Sequence, residues 1–331
     1  RDKTMQRRDF ITAGALAACG ASLAGGAWAQ SGYPARPVRM VVPFPPGGPT
    51  DVMGRTAAKA MGERLGQQFV VENKAGAGGN IGTDFVAKAA PDGYTIGLAA
   101  ISSLAIAPHL YASLPFNVEK DLLPISLVGT TPCALVIHPG APFSDLAGMV
   151  AHAKANPGRL SYATSGIGTS NHLAAELLQS VAGIALTNVP YKGSSQIVPD
   201  LLAGTVPMSM ESSLATTLQH VRAGKLKAIA VTSPQRAKAL PDVPTVAESG
   251  YPGFEVETWF GLVAPAGTPQ AVVTQLHDAW EAGARTPQAQ AAFDNISGNL
   301  RVNTPQQFAD FIRAENRRWG GLIRQLGLKA D

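Results

Sequence analysis

The chain has 331 residues, of which 45% are hydrophobic and 15% are charged. This balance excludes a disordered protein, because disordered chains are poor in apolar residues and rich in charge. The formal net charge is +4, and half of it lies in residues 1–29, so the rest of the chain lacks the dense basic patch of a nucleic-acid-binding surface.

Residues 1–29 contain the three parts of an export signal. Arg7 and Arg8 give it a basic start, an uncharged run covers residues 10–35, and an Ala-x-Ala motif ends at Ala29. The arginine pair resembles a twin-arginine signal. We predict cleavage between Ala29 and the following glutamine, and a location in the periplasm. Two alternatives stay open: the uncharged run is a membrane anchor, or Cys19, in a lipobox-like segment, carries a lipid.

The mature chain begins with alternating strand and helix patterns. Short apolar segments at 38–42, 69–71 and 94–99, bounded by Gly, Pro or Asp, predict three strands. Helical patterns at 51–65 and 80–89 lie between them. This order predicts a parallel sheet with right-handed crossovers.

The pattern changes after residue 124, where predicted strands at 125–128 and 134–137 have no helix between them. Such a break indicates the start of a second domain. A further α/β series follows, with strands at 160–163, 186–189, 206–210 and 226–232, and helices at 144–156 (N-capped by Ser144), 170–181, 194–203 and 214–223. A last strand at 256–264 precedes helices at 269–284, 287–295 and 304–326.

We therefore predict an α/β protein of two lobes. Lobe 1 is discontinuous and consists of residues 30–128 and 231–331, and lobe 2 consists of residues 129–230. The two crossovers, near residues 128 and 230, would form a hinge. The chain has no low-complexity linker, so we expect the lobes to be closely coupled.

Four loops rich in glycine or hydroxyl residues follow predicted strands, at residues 43–51, 76–82, 164–172 and 191–195. Open α/β sheets bind ligands at the carboxyl ends of their strands. Glycines allow close backbone approach, helix N–H groups attract anions, and hydroxyls donate to carboxylates, which have no donor of their own when ionised. The loops therefore indicate a carboxylate site; the alternative is that they are tight turns and helix caps.

Two further positions at strand ends add candidate ligand contacts. Ser102 and Ser103 follow the third predicted strand, and Glu211 ends a later one, where it could accept a hydrogen bond from a ligand amine or hydroxyl. The predicted ligand-binding residues are Phe44, Pro46, Gly47, Gly48, Asp51, Ser102, Ser103, Ser165, Gly166, Thr169, Ser170, Tyr191, Gly193 and Glu211.

Sequence signatures of catalysis, cofactors and metals are missing. Ile81 stands where a dinucleotide fingerprint beginning at Gly76 needs its third glycine, and no P-loop motif occurs. Ser165 lacks the glycines of a nucleophile elbow, and the six histidines show no metal-ligand spacing. Two cysteines are too few for a disulfide framework, and Cys133, in an apolar stretch, predicts a buried side chain. We therefore expect no cofactor, no metal and no catalytic residue.

Six segments together resemble one protein family. They are VVPFPPGG at 41–48 with Asp51, VENKAGAGGNIG at 71–82, AAPDGYT at 89–95, VPYKG at 189–193, LPDVPT at 240–245 and WFGL at 259–262. The chain resembles the Bug/TctC family, the substrate-binding receptors of tripartite tricarboxylate transporters. The segments span the mature chain in the order expected of the family.

The resemblance implies a type II periplasmic-binding-protein fold, with two α/β lobes, a ligand cleft and a two-crossover hinge. Family ligands are small carboxylates: dicarboxylates, tricarboxylates, acidic amino acids and aromatic acids. Carried onto this chain, the loop at 45–51 would hold one carboxylate, and residues 165–170 and 191–193 would close from the second lobe. The family usually has Asp followed by a small polar residue where this chain has Glu211 and Ser212, so the distal ligand contacts are expected to differ.

The expected function is capture of a small organic acid by lobe closure, without reaction or cofactor. The closed form, a monomer, would deliver the acid to membrane transporter subunits or dock on a sensor. The alternative from another class is a periplasmic hydrolase that uses Ser165 or Ser103. An effector domain of a transcription regulator can share this fold, but the export signal and the lack of a DNA-binding helix pair argue against it.

Overall fold

A computed structural model describes residues 32–330 of the chain. The predicted export signal, its cleavage point and Cys19 lie outside these residues. The chain divides before Arg36, and the account below concerns residues 36–330. No helix of residues 32–330 combines the length and the apolar character needed to cross a membrane.

The first sheet combines strands from both ends of the chain. Its strands are β1 (Val38–Val42), β2 (Phe69–Asn73), β3 (Thr95–Ala100), β4 (Leu122–Pro132), β10 (Glu257–Pro265) and β11 (Asn299–Leu300). Their spatial order is β11-β4-β10-β3-β1-β2. β1 pairs in parallel with β2 and β3, as predicted, and β10 runs antiparallel to both β3 and β4.

The second sheet comes from the middle of the chain. Its strands are β5 (Ala134–Ile137), β6 (Ser161–Thr164), β7 (Thr187–Pro190), β8 (Met208–Glu211) and β9 (Lys227–Val231), in the order β7-β6-β8-β5-β9. β6 is parallel to β7 and β8, whereas β5 is antiparallel to β8 and β9. The first sheet with its helices is called the first lobe below, and the second sheet with its helices the second lobe.

The helices connect these strands. They are α1 (Pro49–Leu65), α2 (Asn80–Ala87), α3 (Ala107–Leu110), α4 (Val118–Asp121), α5 (Leu146–Ala155), α6 (Ser170–Ala182), α7 (Val198–Ala203), α8 (Leu218–Arg222), α9 (Gln270–Ala284), α10 (Pro287–Asn295) and α11 (Pro305–Leu326). Short 3₁₀ turns occur at Ala77–Gly79 and Ser194–Gln196, and a π-helical turn at Ser102–Ile106. α1 starts with a proline, whose missing N–H is no loss there, and its C-cap is Gly66 in the left-handed region.

Several elements differ from the sequence-based prediction for identifiable reasons. β4 is longer than predicted because β10 pairs with it from end to end. The predicted helix at 194–203 is divided into a 3₁₀ turn and α7, because Pro199 near the start of α7 has no N–H to continue the helical hydrogen bonds. α5 is capped by Asp145, whose Oδ1 accepts from Gly148 N at 2.7 Å, and not by Ser144.

The chain passes between the sheets at two adjacent points. Cys133 alone separates β4 from β5, and the return runs from β9 to β10. Thr232 N donates to Cys133 O at 2.9 Å, and Thr232 Oγ1 donates to Val256 O at 2.5 Å, so the two connections are hydrogen-bonded to each other. Cys133 is fully buried, which confirms the prediction, and burial raises the pKa of its thiol to about 11.

Candidate ligand-binding cleft

A small cavity lies between the two lobes, with about 20 Å³ of space for a water-sized sphere. The residues that line it are Phe44, Pro45, Gly48, Pro49, Thr50, Ala100, Ile101, Ser102, Ser165, Thr169, Ser170, Gly193, Ser194, Ser195, Ser212, Thr258 and Phe260. Hydroxyl groups are abundant among them, and within residues 32–330 no charged side chain lines this cavity.

Two helices from opposite lobes begin at this cavity. Gly48 is the N-cap of α1 and Thr169 the N-cap of α6, and neither cap makes a side-chain hydrogen bond to the helix. Both N-caps and the first residues of both helices line the cavity. The first N–H groups of a helix have no partner within the helix and carry a partial positive charge. The two helix starts therefore favour an anion without a lysine or arginine.

Asp51 organises the loop that precedes α1. Its Oδ2 accepts from Gly47 N at 3.0 Å and from Arg55 Nε at 2.9 Å, and its Oδ1 accepts from Asn73 Nδ2 at 2.9 Å. The Asn73 amide also donates to Phe44 O. Burial acts to raise the pKa of Asp51, but the hydrogen bonds from Arg55, Asn73 and Gly47 outweigh it and hold the pKa below its ordinary value. The ion pair with Arg55 balances the carboxylate charge, so Asp51 shapes the loop while its charge is largely compensated.

Hydroxyls of the second lobe are held in place by hydrogen bonds around the start of α6. Ser165 Oγ donates to Asn171 Oδ1 at 2.8 Å, and Thr169 Oγ1 donates to Gly166 O at 2.6 Å. Ser170 Oγ lies 2.5 Å from Thr258 Oγ1 of β10, so this pair joins the two lobes at the cavity wall.

β10 forms the floor of the cavity with alternate residues. Thr258 and Phe260 line the cavity, and Trp259 between them points to the other face, as strand geometry requires. Trp259 Nε1 donates to Glu315 Oε2 of α11 at 2.9 Å, and Trp319 Nε1 donates to the same oxygen at 2.9 Å. The C-terminal helix thereby fixes the orientation of the strand beneath the site.

The turn after β7 and the end of β8 form the remaining wall. Ser194 Oγ lies 3.1 Å from Ser212 Oγ, and both side chains line the cavity. Tyr191 points away from it: its hydroxyl donates to Asp200 Oδ2 at 2.5 Å, and this hydrogen bond raises the pKa of Tyr191 to about 12. Glu211 is fully buried, and burial raises its pKa to about 7.

The two lobes touch where glycines lack a side chain. A Cβ added to Gly193 of the second lobe would lie 2.7 Å from Pro45 Cδ of the first. A Cβ on Gly78 of the first lobe would lie 3.0 Å from Ile167 O of the second. A Cβ atom does not approach another carbon atom as closely as 2.7 Å in folded proteins, so the glycine at position 193 permits the observed approach of the lobes.

Half of the fourteen predicted binding residues line the cavity. They are Phe44, Gly48, Ser102, Ser165, Thr169, Ser170 and Gly193. Pro46 and Gly47 are exposed on the outer side of their loop. Ser103 is buried, where it accepts from Thr83 Oγ1 at 2.9 Å and donates to Ala100 O at 3.2 Å. Asp51, Gly166, Tyr191 and Glu211 lie behind the lining residues.

Sequence reasoning missed several cavity residues. Thr258 and Phe260 belong to β10, whose insertion between β3 and β4 joins residues more than 120 positions apart. The segment WFGL at 259–262 was a usable signal, because it contains Phe260 and directly follows Thr258. Ser194 and Ser212 were next to predicted residues but were not themselves predicted.

Comparison with known proteins identifies the family. The sequence model of one family, TctC, described as the tripartite tricarboxylate transporter family receptor, matches residues 53–328. The chain belongs to this family. It is 42% identical to the protein BugT of Bordetella pertussis over 298 residues, and this alignment covers 90% of this chain and 91% of BugT.

Solved structures have the same fold. The periplasmic binding protein BugD is 38% identical, with a TM-score of 0.84 over 90% of this chain and 100% of BugD. The R. palustris protein Rpa4515, solved with adipate, is 32% identical, with a TM-score of 0.86 over 90% of this chain and 99% of that one. MatC of Rhodopseudomonas palustris, solved with malate, is 30% identical, with a TM-score of 0.82 over 88% of this chain and 100% of MatC. These likenesses confirm the predicted family and the predicted fold class of two α/β lobes.

Proposed function

We propose that this chain captures a small organic carboxylate in the periplasm and delivers it to the membrane subunits of a tripartite tricarboxylate-type transporter. The observation that supports this most directly is the convergence of the uncapped starts of α1 and α6 on one cavity, to which residues 32–330 contribute no charged side chain. This arrangement suits an anion and gives a neutral ligand little electrostatic advantage. The adipate and malate bound by two similar proteins belong to the same chemical class.

The proposed mechanism is closure of the lobes around the acid. The first lobe and the second lobe would move as two bodies about the paired connections at Cys133 and Thr232. Contacts from both lobes to one ligand favour the closed population, and a transporter can recognise that form. One chain supplies both walls of the cavity, so the proposed binding unit is a monomer.

We propose no catalytic step for this site. Ser165 donates to the amide oxygen of Asn171, and Ser103 donates to the backbone oxygen of Ala100. Neither hydroxyl donates to a histidine or carboxylate that could act as its base, which a serine nucleophile requires. The hydrolase alternative therefore has no supporting contact among residues 32–330.

Calorimetric titration with adipate, malate, tricarboxylates, acidic amino acids and aromatic acids, each paired with its methyl ester, tests the proposal. An acid that binds should lose roughly a hundredfold or more in affinity as its ester, because two charge-assisted hydrogen bonds of about 1.5–3 kcal/mol each are lost. Protein unfolded and refolded before titration controls for a retained ligand. Equal binding of an acid and its ester would contradict an anion site.

A further inference from the structure

Glu211 is a buried carboxyl group directly behind the cavity wall. It ends β8 with no exposed surface, and the next residue, Ser212, lines the cavity. Its Oε1 accepts from Ser209 Oγ at 2.8 Å, and its Oε2 is buried without a hydrogen-bond partner. An unpaired carboxylate oxygen at a buried position is costly, whereas a protonated carboxyl is much less so.

A pair of serine hydroxyls lies between Glu211 and the cavity. Ser194 Oγ and Ser212 Oγ are 3.1 Å apart, and either can be the donor. Ser194 acts to lower the pKa of Glu211, but no hydrogen bond connects its hydroxyl to either carboxyl oxygen. The carboxyl therefore lies next to the serine pair of the cavity wall, with one oxygen left without a donor.

The protonation state of Glu211 sets the charge behind the cavity wall. An ionised carboxylate would be a buried negative charge with one oxygen unpaired, next to a bound anion. A neutral carboxyl removes that charge. Only the neutral form suits an anionic ligand.

Among residues 32–330, the strands and helices packed against β8 supply no lysine or arginine to offset the charge of Glu211. β8 lies between β5, which has no titratable side chain, and β6, which has Tyr162. On the packed helices, His172 of α6 lies 3.6 Å from Glu176, with its pKa lowered by burial, and Asp200 of α7 is bonded by Tyr191. Burial is the main cause of the raised pKa of Glu211, opposed by the hydroxyls of Ser209 and Ser194.

We propose that Glu211 takes up one proton from solvent when the cavity binds a carboxylate, so that the loaded protein holds Glu211 neutral. The inference rests on the proposed function, because it needs an anion in the cavity. A neutral Glu211 removes the charge repulsion between the carboxylate and the ligand, so the bound anion favours the protonated form. Proton uptake and anion binding then strengthen each other.

The test is calorimetric titration of adipate or malate at pH 6 and pH 8, in two buffers of different ionisation enthalpy. With a pKa of about 7 for free Glu211, the dissociation constant should be about tenfold higher at pH 8 than at pH 6. Close to one proton should be taken up per acid at pH 8 and close to none at pH 6. The proton count uses the unaltered protein, so it decides the matter even if a variant fails to fold.

Two variants assign the effect to this residue. Glu211→Gln imitates the neutral carboxyl and should bind equally well at both pH values, with no proton uptake. Glu119→Gln, at an exposed position on α4, should behave like the unaltered protein. Binding of an acid with no proton uptake in the unaltered protein, or with unaltered pH dependence in Glu211→Gln, would overturn the inference and leave the proposed function standing. Failure of every acid to bind at both pH values would overturn both.

Discussion

Replacement of Gly193 by alanine is a direct test of whether the observed contact between the lobes belongs to the ligand-bound form. The backbone of Gly193 is extended, with φ 166° and ψ 162°, so alanine is accommodated without local strain. The new methyl group would meet the ring of Pro45 on the other lobe. We expect weaker ligand binding with little change in the stability of the ligand-free protein.

The size of the effect follows from the geometry of this contact. The added Cβ would lie 2.7 Å from Pro45 Cδ and 3.1 Å from Pro45 Cγ, whereas carbon atoms pack at about 3.5–4.0 Å. The proline ring cannot rotate away, so the lobes must stay farther apart by several tenths of an ångström. Overpacking of this kind costs about 1–3 kcal/mol, which weakens binding about five- to hundredfold.

The assay is calorimetric titration with the best acid of the panel, together with thermal unfolding without ligand. Gly321→Ala is the matched control, because it lies on α11 with no atom within 4 Å of its added Cβ. This control should keep the unaltered affinity and gain up to about 1 kcal/mol of stability from helix propensity. Unaltered affinity in Gly193→Ala would refute the claim that Pro45 and Gly193 meet when the ligand is bound.

Three further predictions concern the loop, the buried carboxyl and the export signal. Gly48→Val should keep the fold, because a Cβ at this position meets only Pro45 O, at 3.9 Å. It should abolish acid binding, because Gly48 lines the cavity and the larger side chain would occupy it. Circular dichroism checks the fold and calorimetric titration checks the binding. The raised pKa of Glu211 means that the folded state binds more protons between about pH 4.5 and 7. Stability should therefore fall by about 3 kcal/mol across that range in urea unfolding, and Glu211→Gln should remove this slope. N-terminal sequencing of the exported protein should begin at Gln30, whereas a lipid-modified Cys19 would contradict the predicted processing.

Asp51 illustrates how a residue can support a cavity without lining it. It belongs to the predicted loop, but its hydrogen bonds go to Gly47, Arg55 and Asn73, and not to the cavity. The pairing of an acidic residue on α1 with β2 was not apparent from spacing, because Asn73 is 22 positions away. The structure thus makes Asp51 a positioning residue, a role that composition and motif alone did not distinguish from ligand contact.

Local patterns in the sequence determined the alternation of β1, α1, β2, α2 and β3, because apolar periodicity and glycine or proline boundaries act over a few residues. They also placed the loops that supply Gly48, Ser165 and Gly193 to the cavity, since parallel strands bring their carboxyl ends to one edge. Tertiary structure alone decided what depends on distant pairing. It placed β10 between β3 and β4, brought Thr258 to Ser170, and left Glu211 Oε2 buried without a partner behind the wall. The physical reason is that register, burial and desolvation are properties of the packed chain, set by contacts across more than 80 positions that no local pattern encodes.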